Sequence, residues 1–139
     1  MSTDLAPAEI PEIPETGLEL LHAAIPAHVS YVDSKGRVVT TVLWVHERDG
    51  KILTSSPVDS FKGRSLRERP QVSVSIVDPA NQFHTVSISG EVTDIHPDED
   101  LVFIDEMSRK IHGTDYERRT PREVFVITPT RVRASTGTW

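Results

Sequence analysis

Lys62, Arg64, Arg67 and Arg69 stand within eight residues of one another in the segment SSPVDSFKGRSLRERPQVSVSIVD, residues 55–78, of a chain whose formal net charge is -6. Hydroxyls of Ser55, Ser56, Ser60 and Ser65 flank the first two cations. That combination suits an anion. If residues 58–69 form a helix ended by Pro70, its first turn offers amide N–H groups without intrahelical partners and a partial positive charge. A Lys with two or three hydroxyls beside it completes a phosphate cradle. The four cations cannot make one tight cluster, because Lys62 and Arg69 differ by nearly two helical turns. Lys62 and Arg64 are therefore the phosphate candidates, while Arg67 and Arg69 are expected to be solvated or paired with Glu68 and its surroundings. The competing reading is a short helix with a solvated charged face.

Other chemistry finds little support. Six histidines (His22, His28, His46, His84, His96 and His112) include no two at metal-ligand spacing on one element, so no metal site is expected. No G-x-S-x-G elbow, Walker loop or G-x-G-x-x-G occurs. Glu91, Asp94, Asp98, Glu99 and Asp100 read as a turn and a helix start before they read as acids or bases. The absence of Cys removes disulfides and thiolate chemistry. The acidic balance argues against nucleic acid as a partner. No catalytic side chain is assigned.

The elements that must position the cradle follow from periodicity. Residues 1–16 hold Pro7, Pro11 and Pro14 with four acids, and no Lys or Arg precedes Lys35, so an extended acidic arm is expected ahead of a single domain, 17–139. TGLELLHAAIP places Leu18, Leu21 and Ile25 at helical spacing, with Thr16 as N-cap and Pro26 as stop. From Ala27 the period becomes two: HVSYVD, RVVTTVLWVHE and KILTSS form a meander, with Asp49-Gly50 as a tight turn. QVSVSIVD and FHTVSISGEVTDI alternate in the same way, and Gly90 marks a bulge or a close backbone approach. HPDEDLVFIDEMSRKIHG sets Leu101, Ile104, Met107 and Ile111 on one side, with acids first and Arg109, Lys110 and Gly113 last, as a capped helix should. REVFVITPTRVRAS is a final strand in which Pro129 signals an edge or a break. The sum is a mainly β fold, a six-stranded antiparallel barrel with two or three short helices. A mean hydropathy of -0.29 without a long apolar run predicts no membrane span, and a start rich in acid and Pro predicts a cytoplasmic protein.

The order of these parts resembles the pyridoxamine 5'-phosphate oxidase-like superfamily of split β-barrels, and most of all its short members that use the deazaflavin F-420. The resemblance runs from about Pro14 to Arg133, and its most specific element is Lys62, Arg64, Leu66 and Pro70. It implies that Lys62, with Gly63, Arg64 and Ser65, binds the phosphate of F-420 or, alternatively, of FMN. It also implies that the strands carrying Val42, Trp44, Thr54, Ser55 and Ser56 line the tricyclic ring. A homodimer with the cofactor at its interface is implied too, with Gln82 and the C-terminal RVRASTGTW as candidates to complete the partner's site. The implied activity is hydride transfer to a small organic acceptor. Ser65 stands where the family has Asn, Val38 where it has Pro, and Phe61 where the oxidases proper have an Arg before the Lys, which argues against a true pyridoxamine phosphate oxidase. A haem-binding or other non-catalytic barrel is the alternative, with His84 or His112 as its test positions, and Trp44 reads equally well as packing.

Overall fold

Seven antiparallel strands and three α-helices make up residues 9–137, the part of the chain that the computed structural model describes. In chain order they are α1 (Glu15–His22), β1 (Ala27–Val32), β2 (Val38–Leu43), β3 (Val45–Arg48), β4 (Lys51–Pro57), α2 (Phe61–Glu68), β5 (Gln71–Asp78), β6 (Asn81–Pro97), α3 (Val102–His112) and β7 (Arg122–Thr136). A 3-10 turn, Glu99–Leu101, leads into α3. There are seven strands rather than six because the run RVVTTVLWVHE breaks at Trp44.

That break closes the barrel. The strand order is β2-β1-β5-β6-β7-β4-β3, so β2 and β3 lie at opposite edges of the sheet. Six inter-strand spacings of about 4.8 Å would hold them roughly 29 Å apart if the sheet were flat. Only Trp44 separates them in sequence, so the sheet must curl until its edges meet, which is the split-barrel class expected from the sequence.

Alternating residues of the curled sheet form the main core, with Val29, Val74, Ile76, Val86, Ile88, Ile52, Phe125 and Ile127 all buried. Leu20 and Leu21 of α1 pack into the same cluster. This helix starts two residues earlier than expected. Pro14, not Thr16, holds the N-cap position, where its fixed φ and its carbonyl, accepting from Gly17 and Leu18, replace a side-chain cap. It also ends at His22 rather than running to Pro26, and it buries Gly17, Leu20 and Leu21 instead of a Leu18-Leu21-Ile25 stripe. Of the expected arm, residues 1–8 lie outside the described residues.

Both sequence-marked glycine positions are constrained. Asp49 and Gly50 take positive φ of 55° and 81°, as a two-residue hairpin turn requires. At Gly90 the β6–β7 register shifts, and an added Cβ would sit 2.6 Å from the Thr128 carbonyl oxygen. Pro129 is opposite Gly90, beyond the part of β7 that pairs with β4, so its missing N–H breaks no ladder on that side. No helix among the described residues is long and apolar enough to cross a membrane.

Candidate functional site

β4 is buried from Ile52 to Ser56, and its two faces serve different neighbours. Because strand side chains alternate, Ile52 belongs to the barrel core while Leu53 packs with Phe103 and Met107 of α3 and Val124 of β7. Ser55 shares the Leu53 face. It meets Val42, Leu43, Trp44, Ile104, Met107, Tyr116 and Arg122 around a cavity of about 320 Å³. A larger concavity of about 660 Å³ shares Trp44 and Tyr116 with the first, and Ser108, His112 and Arg118 are among its other walls.

α2 begins beside this cavity. Asp59, with φ 64°, cannot continue a helix backwards, so the helix covers Phe61–Glu68 rather than 58–69. Ser60 caps it: its Oγ accepts from the Gly63 N–H at 2.9 Å and lies 2.6 Å from Ser56 Oγ. The cap places Lys62 in the first turn, where its Nζ donates to the Ser55 carbonyl at 3.2 Å. From the other side, Arg122 Nε donates to Ser55 Oγ at 2.8 Å. Two cations thus converge on one serine. Burial, reinforced by Arg122, pushes the Lys62 ammonium down to about 8, and burial also lowers Arg122. Neither forms an ion pair with a carboxylate among the described residues. Asp98, which attracts Arg122, spends its oxygens on the Phe103 and Ile104 amides at 2.8 and 2.9 Å, capping α3.

The sequence-derived residues divide accordingly. Val42, Trp44 and Ser55 line the cavity, and Lys62 touches its Ser55 wall. Thr54 and Ser56 lie on the opposite face of β4 and are structural: Thr54 Oγ1 donates to the Trp44 carbonyl at 3.0 Å, and Ser56 meets Ser60. Gly63 is buried where a Cβ would come within 3.0 Å of Ser60 Oγ, so it permits close packing. Arg64 bonds the Asp59 carbonyl, and Ser65 is buried within α2. Gln82 is exposed at the start of β6 and does not line the cavity of its own chain. Arg69 pairs with Glu68, as expected, whereas Arg67 pairs with Glu123 and lies over Phe125. His84 is committed to the Thr16 carbonyl and Asp78, and His112 packs edge-on against Trp44 at 5.3 Å.

Arg122 and Tyr116 escaped the sequence reading. Pairing of β7 with β4 sets Val124 opposite Ser55 and Arg122 opposite Pro57, a long-range register that no local pattern encodes. The available signal was the alternation of Arg122, Val124 and Val126, which places an Arg on an otherwise apolar face.

Solved structures with the same fold include an F-420 reductase, with TM-score 0.79 and 22% identity over 87% of this chain and 98% of that one. General Stress Protein 26 from Bacillus anthracis str. Sterne gives 0.68 and 13% over 87% and 92%. HupZ from Group A Streptococcus gives 0.62 and 15% over 90% and 99%. At these identities the likeness is one of fold. No curated protein sequence matches the chain. The family model described as pyridoxamine 5'-phosphate oxidase matches residues 13–136, nearly the whole length, and the chain therefore belongs to the pyridoxamine 5'-phosphate oxidase family.

Proposed function

We propose that the protein is an oxidoreductase that binds F-420 and passes hydride to a small organic acceptor. The observation that carries this reading is the convergence of Lys62 and Arg122 on Ser55, both without a carboxylate partner among the described residues, at the edge of a cavity walled by Val42, Trp44 and Met107. Two partly buried cations that repel each other are relieved when an anion joins them, and a phosphate does so with charge-assisted hydrogen bonds. The apolar and aromatic walls suit a planar ring. When bound, the cofactor supplies the hydride chemistry. The chain's own residues fix the phosphate through Lys62 and Arg122, shield the ring with Trp44, Ile104 and Met107, and keep water from it.

FMN is the second reading, and a specific observation favours it. F-420 carries a long anionic tail, yet Arg67, which would extend the positive track, is paired with Glu123. The single phosphate of FMN needs no such track.

The test is a titration of Trp44 fluorescence with F-420 and FMN in parallel, in a Trp139→Phe background. Saturable quenching by F-420 with little response to FMN is expected. The reverse identifies a flavoprotein, and silence to both overturns the reading. Lys62→Ala should weaken cofactor binding by on the order of 1.5 to 3 kcal/mol.

A further inference from the structure

Asp105 stands on the buried side of α3 among Phe103, Ile104 and Met107, and is only 7% exposed. An ionised carboxylate there needs dedicated donors. It has three. The Tyr116 backbone N–H donates to Oδ1 at 3.0 Å, and Arg119 donates to both oxygens, Nη1 to Oδ1 at 2.7 Å and Nη2 to Oδ2 at 3.0 Å. Arg119 Nη1 also donates to the Tyr116 carbonyl at 2.8 Å. All the donors come from the irregular segment 113–121 between α3 and β7.

The consequence falls on Tyr116, which is gripped at both its N–H and its C=O. Its ring is thereby fixed edge-on to Trp44, with centroids 5.9 Å apart and planes at 87°, and beneath the Arg122 guanidinium at 5.2 Å. Trp44 and Tyr116 are also the two residues that the 320 Å³ and 660 Å³ concavities share. Nothing else about residues 113–121 demands a buried acid in the middle of a helix. The arrangement commits a buried carboxylate, paired with a half-exposed guanidinium, to holding one aromatic ring in place.

We propose that Asp105 and Arg119 are a positioning pair that locks Tyr116 as the wall between the two concavities, and so sets affinity for the cofactor ring rather than for its phosphate. The proposal rests on the cofactor reading of the smaller cavity. In the Trp139→Phe background, where Trp44 is the only tryptophan, Asp105→Asn should weaken F-420 or FMN binding about tenfold. It should leave unchanged the thermal shift produced by inorganic phosphate, which reports Lys62 and Arg122. In a Tyr116→Ala background the same Asp105→Asn change should cost less than about twofold, because coupled residues are non-additive. An undiminished loss in that background, or a parallel loss of phosphate binding, overturns the proposal. Arg119→Gln alters a half-exposed side chain and carries the same expectations should Asp105→Asn fail to fold. If the parent binds neither cofactor, the cavity reading fails and the lock is judged separately: Asp105→Asn must then red-shift Trp44 emission and hasten tryptic cleavage after Arg118. Unaltered emission and cleavage would refute it.

Discussion

At the scale of a residue, Lys62 carries a charge that the ligand-free protein holds at a cost. Its folded-state pKa of about 8 lies below the ordinary value of 10.5, because burial disfavours the ammonium and Arg122 repels it. Between those two values the unfolded chain binds more protons than the folded one, so the stability of the ligand-free protein should rise with pH in that window. Below pH 8 the full cost of the buried charge is present. A depression of this size corresponds to on the order of 3 kcal/mol. Lys62→Met should therefore raise the melting temperature at pH 7, remove most of the stability gained between pH 8 and 10, and abolish phosphate binding. A bound anion reverses the sign. It holds the proton on Lys62, so affinity for inorganic phosphate should fall as pH climbs through 8. Calorimetric titrations at pH 7 and 9.5 check this, and equal affinities at the two would show that Lys62 does not hold the anion.

At the scale of elements, β6 is the long strand that pairs with β7, which carries Arg122, and Gly90 sits at a register shift where a side chain has no room. Gly90→Ala sets a methyl 2.6 Å from the Thr128 carbonyl and 2.9 Å from Ile127 Cγ2, and neither is the loose end of a flexible side chain. A loss of about 3 kcal/mol is expected in urea denaturation. Gly36→Ala makes a control of different origin: nothing lies within 4 Å, but φ is +76°, so the cost should be only about 1 kcal/mol of left-handed strain. The same contrast explains what could be read in advance. Gly90, Asp49-Gly50 and the alternation of β1, β5 and β6 are local signals, and the sequence displays them directly. The hinge at Trp44 is not local. Val-Leu-Trp-Val continues the strand period, and only closure of the barrel forces the break. Nor could Thr54 and Ser56 be separated from Ser55, since which face of β4 meets α3 depends on its pairing with β7. Arg122 and Tyr116 lie more than sixty residues beyond Ser55 and reach it through that same pairing.

At the scale of the whole molecule, the cavity borders residues that a lone chain leaves in water. Val42, a cavity wall, is 58% exposed, Val38 on the same face of the edge strand β2 is 74% exposed, and Phe61, adjoining Lys62, is 47% exposed. Large apolar side chains on an unpaired edge strand invite another surface. A second copy of the chain is our proposed cover, and it would give Gln82 and the C-terminal segment from Arg131 a site to complete, since neither Gln82 nor the described residues 131–137 line the cavity of their own chain. Sedimentation equilibrium should then show a dimer. Val38→Glu should shift it toward monomer with an unchanged circular dichroism spectrum, because the side chain replaced is mostly in solvent within one chain. Cofactor affinity in that variant should depend on protein concentration, rising as dimers reform, and Gln82→Ala should weaken binding although Gln82 does not line the cavity of its own chain. A parent protein that sediments as a monomer while binding cofactor saturably would show that one chain builds the whole site, and the exposed valines would then need another explanation.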